Sequence, residues 1–224
     1  MNRSQGDTRR ARLAAARLYL VTEASIAERS PESLLRAALA GGVDVLQLRD
    51  KHANDQTLLG AGELFRRVCD EHGALFVVND RPDLAVACAA DGVHLGQADG
   101  DLAAARRTVG DELLIGLSTH SPEQVDAGRD SVVDYLGVGP VWETTTKPGR
   151  AAVGLELVDY AARTAGKPFF AIGGIDAARA PLVLAAGAER LAVVRAIRDA
   201  PEPRRAASEL RTAIEAEADA RVVA

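Results

Sequence analysis

The sequence predicts an α/β protein, a single-domain (β/α)8 TIM barrel. Three observations carry that expectation. Short β-branched or aliphatic runs alternate with Ala/Leu-rich amphipathic segments along the whole chain. Eight such pairs occur, the number that closes a parallel barrel. No linker or low-complexity stretch divides the 224 residues, a length suited to one barrel.

The strands are expected at 17–21, 43–48, 74–78, 92–95, 113–117, 134–138, 168–172 and 190–194. Each is a short apolar run followed by a polar turn, as a buried parallel strand requires. Helical patterns fill 31–40, 55–71, 82–89, 102–108, 122–127, 155–164, 177–186 and 203–216. Pro31, Pro82 and Pro122 stand near helix starts, where the missing N–H has no partner to lose. Gly41, Gly73, Gly166 and Gly187 follow helices, where a left-handed cap favours glycine. The alternation implies parallel pairing through right-handed crossovers. Residues 1–16, with Arg3, Arg9, Arg10 and Arg12 among Ala and Ser, are expected as a flexible tail before the barrel at 17–216. Residues 217–224 are expected to fray.

The bulk properties exclude several classes. A formal net charge of -5 argues against a general nucleic-acid binder. No apolar run approaches a membrane span, and residues 1–16 lack the apolar core of a signal peptide. Cys69 and Cys88 lie in apolar helical patterns without metal-ligand spacing, which reads as buried thiols in a reducing cytoplasm. The expected partners are therefore small molecules. A homo-oligomer is compatible with the sequence, which does not decide the oligomeric state.

In such barrels the chemistry sits at the C-terminal ends of the strands. The most informative stretch is Gly139-Pro-Val-Trp-Glu-Thr-Thr-Thr-Lys147, just past the sixth strand. It places hydroxyls at Thr144 and Thr146 and a cation at Lys147, a combination suited to phosphate. In the second strand, Val43, Val45, Gln47, Arg49 and Lys51 share one parity that begins apolar and ends cationic. Arg49 offers a fork and Lys51 a point charge to phosphate oxygens, unless both are surface groups paired with Asp50. The third strand ends in Asn79 and Asp80, which suit a phosphate and a hard cation but equally an ordinary turn and helix cap. The fourth leads to Asp99, a second cation ligand or the cap of the next helix. Ser118 follows as a hydrogen-bonding group for a heterocycle, and His120 as an acid/base or a packing residue. Gly173 and Gly174 allow close backbone approach, and Val194 and Arg195 follow the eighth strand, where barrels often hold phosphate. Two phosphate demands result, one cationic with paired acids and one rich in amides and hydroxyls.

Taken in order, these motifs resemble the thiamine-phosphate synthase (thiamine-phosphate pyrophosphorylase) family. The resemblance rests on Gln47-Leu-Arg-Asp-Lys51, Asn79-Asp80-Arg81, His94-Leu-Gly-Gln97 with Asp99, Gly139 to Lys147, Gly173-Gly174-Ile175 and Val193-Val194, and covers the chain from about Arg17. It implies a cytoplasmic transferase that joins 4-amino-5-hydroxymethyl-2-methylpyrimidine diphosphate to a thiazole phosphate, with Mg²⁺ and diphosphate departure before capture. On that resemblance Arg49, Lys51, Asn79 and Lys147 hold the diphosphate, and Asp80 and Asp99 hold Mg²⁺. Gln47 and Ser118 contact the pyrimidine. Thr144, Thr146 and Gly174 hold the thiazole phosphate, with Val194 and Arg195 nearby. Trp142, Glu143 and Arg195 stand where the family often has Phe, Pro and Ser. The rival readings are a thiazole tautomerase-like isomerase and a non-catalytic phosphometabolite-binding regulator of the same fold. The isomerase would not need the cationic cluster, and the intact pair of acids argues against the regulator.

Overall fold

A computed structural model describes residues 4–26, 29–144 and 151–223. Eight parallel strands close into a barrel in chain order, β1 pairing with β2 on one side and β8 on the other. They are β1 (Leu18–Thr22), β2 (Val45–Leu48), β3 (Leu75–Asn79), β4 (Gly92–Leu95), β5 (Leu114–Thr119), β6 (Tyr135–Val138), β7 (Phe169–Ile172) and β8 (Leu191–Val193). Helices α2 (Pro31–Ala40), α3 (Asp55–His72), α4 (Pro82–Ala87), α5 (Leu102–Val109), α6 (Pro122–Arg129), α7 (Gly154–Thr164), α8 (Ala180–Ala185) and α10 (Pro203–Val223) alternate with the strands. The expected fold class is the observed one.

Strand alternation divides the core in two. Leu46, Phe76, Val93, Ile115, Leu136 and Leu191 face outward and pack under the helices. Tyr19, Val45, Leu75, Val77, Tyr135 and Phe170 face inward and fill the barrel. Several inward positions nearer the C-terminal ends are polar, Gln47, Asn79, His94 and Ser118 among them, so the same parity that fills the barrel also builds its mouth.

The expected flexible tail at 1–16 is corrected by α1 (Gln5–Ala15). Leu13 is 2% exposed and joins the inward cluster, closing the N-terminal end of the barrel. The arginines that suggested a solvated segment are paired instead, Arg9 with Asp91 at 3.0 Å and Arg10 with Asp134 at 2.7 Å. Likewise α10 runs on through residues expected to fray. Arg221 donates to the Ala188 carbonyl at 3.2 Å and pairs with Glu217 at 3.4 Å, which ties the last turns to the end of α8.

Smaller differences have local causes. β8 stops at Val193 because the chain turns into α9 (Arg195–Arg198), a helix not expected from the sequence. Gly73, Gly166 and Gly187 take positive φ as expected, but Gly41 has φ -91°. The left-handed turn falls one residue later, at Gly42, while Gly41 lies against the Arg204 backbone of α10, where a Cβ has no room. Asp101 rather than Asp99 caps α5, accepting from the Ala103 and Ala104 amides. Arg81 opens α4 without any side-chain cap, so neither Asn79 nor Asp80 serves as one.

Candidate active site

A cavity of about 350 Å³ opens at the C-terminal mouth of the barrel. Its floor is aromatic. Phe170 meets Tyr19 and Tyr135 edge-on, with centroids 5.1 and 5.8 Å apart. Gln47, Arg49, Asn79, Ser118, Thr144, Gly174, Val194 and Arg195 all line this one cavity, though six different strand ends supply them. The sequence expected these residues to share a site, and the closed topology brings them together. Thr146 and Lys147 lie outside the described residues.

The cationic side has a definite geometry. Asp50, the partner that would make Arg49 and Lys51 ordinary surface groups, accepts instead from the His52 and Ala53 amides. Lys51 pairs with Asp80 at 3.3 Å. Arg49 keeps its Nε buried, with no hydrogen-bond partner among the described residues. A buried guanidinium N–H without an acceptor is costly and marks a place for an anion. Asp80 sits in the left-handed region at φ 63°, with its amide donating to the His94 carbonyl at 2.8 Å. That backbone turn aims its carboxyl toward Asp99. Burial first, and then the Asp99 carboxylate, push the Asp80 carboxyl up from the ordinary range, against the opposing pull of Lys51. Asp99 in turn accepts from the Gly96 amide at 2.8 Å. Two oxygen acids in mutual repulsion beside a lysine suit a hard divalent cation. Among the described residues no group of three or more His, Cys, Asp or Glu gathers, so a cation there would share its remaining positions with water or ligand oxygens.

The opposite side is built from backbone and hydroxyl. Gly174 has φ 67°, and a Cβ there would lie 2.8 Å from Trp142 Cβ. Glycine lets this turn lie flat against the loop after β6. Arg179 bridges the two loops, stacking 5.0 Å over Trp142 and donating to the Gly174 carbonyl at 2.8 Å. Trp142 is thus held by a cation–π contact, and Glu143 borders the cavity from an exposed position. α9 starts at Arg195, beside the same rim.

Sequence reasoning left three cavity groups without a role, namely Tyr19, His94 and Tyr135. His94 lies between Tyr135 Oη at 3.2 Å and Ser118 Oγ at 2.9 Å. Space for its ring comes from glycines: a Cβ at Gly116 would fall 2.5 Å from His94 Nδ1, and one at Gly137 would fall 3.2 Å from Cε1. The available signal was a polar residue at an inward position in β4, flanked across the sheet by inward glycines in β5 and β6. His120, also at the cavity, contacts the Gly139 carbonyl through Nδ1.

The family model described as thiamine monophosphate synthase matches residues 18–197. A thiamine-phosphate synthase of Acidothermus cellulolyticus is 51% identical over 202 residues, 89% of this chain and 95% of that protein. One from Mycobacterium bovis is 50% identical over 216 residues, 92% of this chain and 97% of that protein. Among solved structures, a thiamine phosphate pyrophosphorylase from Pyrococcus furiosus aligns with a TM-score of 0.83 and 33% identity, covering 93% of this chain and 98% of the other. The matched span runs from β1 to α9 and so contains every strand that lines the cavity. The chain therefore belongs to the thiamine monophosphate synthase family, whose members are transferases that form thiamine phosphate.

Proposed function

We propose that the protein condenses the aminopyrimidine methanol diphosphate with thiazole phosphate, giving thiamine phosphate and diphosphate by a dissociative route. The observation that carries this reading is the buried Arg49 Nε, without a hydrogen-bond partner among the described residues, together with the Lys51–Asp80 pair. An anion with several oxygens would answer both. Arg49, Lys51 and Asn79 would bind the diphosphate, joined by Lys147 from the loop after β6. Gln47 and Ser118 would hold the pyrimidine over the aromatic floor. Gly174, Thr144 and Thr146 would take the thiazole phosphate, with Val194 and Arg195 beside it.

Asp80 and Asp99 would hold Mg²⁺, which when bound would neutralise charge on the departing diphosphate. The chain itself needs no nucleophile for such a reaction. Its work is to bind the leaving group, to orient the thiazole nitrogen toward the pyrimidine methylene, and to exclude water. Tyr19, Tyr135 and Phe170 close the floor against solvent. The placement of His120 on the cavity would suit an isomerase acting on the thiazole phosphate alone. That reading leaves Arg49, Lys51, Asp80 and Asp99 without a task. Two buried free thiols and the absence, among the described residues, of a helix able to cross a membrane fit the expected cytoplasmic setting.

The test is diphosphate release by the purified protein given the pyrimidine diphosphate, with thiazole phosphate and Mg²⁺ each added or omitted. Release that needs all three is the expected result. Thiazole phosphate binding without any release would favour the isomerase or regulator.

A further inference from the structure

A hydrogen-bonded chain crosses the cavity floor through five strands. Gln47 Nε2 donates to Tyr19 Oη at 2.7 Å, and Tyr19 Oη lies 3.1 Å from Tyr135 Oη. Tyr135 Oη lies 3.2 Å from His94 Nδ1, and His94 Nε2 lies 2.9 Å from Ser118 Oγ. Burial raises both phenols above their ordinary pKa, so each keeps its proton. A neutral phenol has one proton to donate, so a chain of such groups has a direction. With Gln47 donating at one end, Tyr19 donates to Tyr135 and Tyr135 donates to His94 Nδ1. The neutral imidazole then carries its proton on Nε2 and donates to Ser118 Oγ. The Ser118 proton is left for the cavity, and Gln47 keeps Oε1 as an acceptor. Among the described residues neither Gln47 Oε1 nor Ser118 Oγ has another hydrogen-bond partner.

We infer that this chain sets the hydrogen-bond polarity of the cavity floor, presenting an acceptor at Gln47 and a donor at Ser118. Such a floor selects a heterocycle with an exocyclic amine beside an unprotonated ring nitrogen. The inference rests on the function proposed above, in which an aminopyrimidine occupies the floor. Tyr19, Tyr135 and His94 are positioning residues, acting through Gln47 and Ser118. The oxo analogue of the pyrimidine, with a carbonyl beside a ring N–H, presents the reverse pattern. It sets acceptor against acceptor at Gln47, and at Ser118 it is met only if the hydroxyl turns its proton away and accepts a second hydrogen bond, so the mismatch falls mainly on Gln47.

Two measurements test this. The first is nitrogen NMR of histidine-labelled protein, with the His94 signal identified by its loss in His94→Gln. The expected tautomer has the proton on Nε2, and Tyr135→Phe turns it into a mixture. A proton on Nδ1, or a signal unmoved by Tyr135→Phe, overturns the inference whatever the enzyme's activity. The second is kcat/KM for the amino against the oxo pyrimidine diphosphate. The preference for the amino compound is expected to fall by about tenfold or more in Tyr135→Phe, while binding of inorganic diphosphate stays unchanged. Should Tyr135→Phe not fold, Tyr19→Phe cuts the neighbouring link and predicts the same loss. A preference that survives the cut sinks the inference. A wild-type protein that releases no diphosphate from either compound removes the proposed function instead, and the tautomer result stands separately.

Discussion

Asp80 combines a backbone and a charge requirement in one residue. Its φ of 63° suits Asp or Asn far better than most residues, and its carboxyl is held against that of Asp99. Asp80→Asn keeps the turn and removes the charge. Diphosphate release in that variant is expected to fall by about 3 kcal/mol of charge stabilisation, roughly a hundredfold, with a weakened Mg²⁺ dependence. A Mg²⁺ titration matching that of the wild type would remove Asp80 as a ligand. Gly174 carries the complementary requirement on the other rim. In Gly174→Ala the new methyl meets Trp142 at 2.8 Å and the backbone is strained at φ 67°. KM for thiazole phosphate is expected to rise about tenfold or more, a binding loss of about 1.4 kcal/mol, while KM for the pyrimidine diphosphate holds. Equal rises in both would show a general loosening rather than a local one. Each of these residues was legible in the sequence as a polar or glycine residue past a strand, and Asp80 was already paired there with Asp99. The contact of Gly174 with Trp142 was not legible, because it forms only across neighbouring loops.

At the scale of elements, three aspartates repeat one device. Asp44, Asp91 and Asp134 stand just before β2, β4 and β6, and each accepts a backbone N–H at the start of the preceding odd-numbered strand. Each is also paired with arginine: Asp44 with Arg211, Asp91 with Arg66 and Arg9, and Asp134 with Arg106 and Arg10. Two of those arginines come from α1, so this helix does more than cover the barrel end. Leu13→Ala is expected to cost about 2–4 kcal/mol in chemical unfolding, since Leu13 closes the inward cluster. A cost below 1 kcal/mol would mean that α1 is only loosely docked. The aspartate clamps also predict acid sensitivity. Burial pushes the Asp91 carboxyl up, but Arg66 and the Phe76 amide outweigh it and hold it below the ordinary value. A carboxylate depressed in the folded state contributes stability above its unfolded pKa of about 3.9. That contribution is lost as pH falls through the depressed folded value. Asp91→Asn is therefore expected to be less stable at neutral pH and to lose less on acidification, read from unfolding midpoints across pH 2 to 7. Parallel losses in both proteins would contradict the assignment.

At the scale of the whole molecule, the barrel separates its two tasks along one axis. The N-terminal end carries α1, Leu13 and the aspartate clamps, and the C-terminal end carries the cavity. Substitutions at the first end should move stability and leave kcat/KM intact, and those at the second should do the reverse. A Leu13→Ala protein with its kcat/KM reduced tenfold at a temperature where it is fully folded would break that partition. The same axis explains what could be read in advance. Strand and helix periodicity, the count of eight units and the polar residues past each strand are local properties of the chain, so the sequence by itself determined the fold class and a part of the cavity lining. Residues 1–16 read as a tail because an arginine-rich, low-hydrophobicity segment has no local reason to dock. Its partners Asp91 and Asp134 lie far along the chain. Tyr19, His94 and Tyr135 were left without a role for a related reason. Side-chain parity says only that they point inward, and barrel closure decides which inward groups meet. The tertiary structure alone decided those encounters, because a hydrogen bond between strands depends on stagger and on the room left by Gly116 and Gly137, neither of which is a property of any single segment.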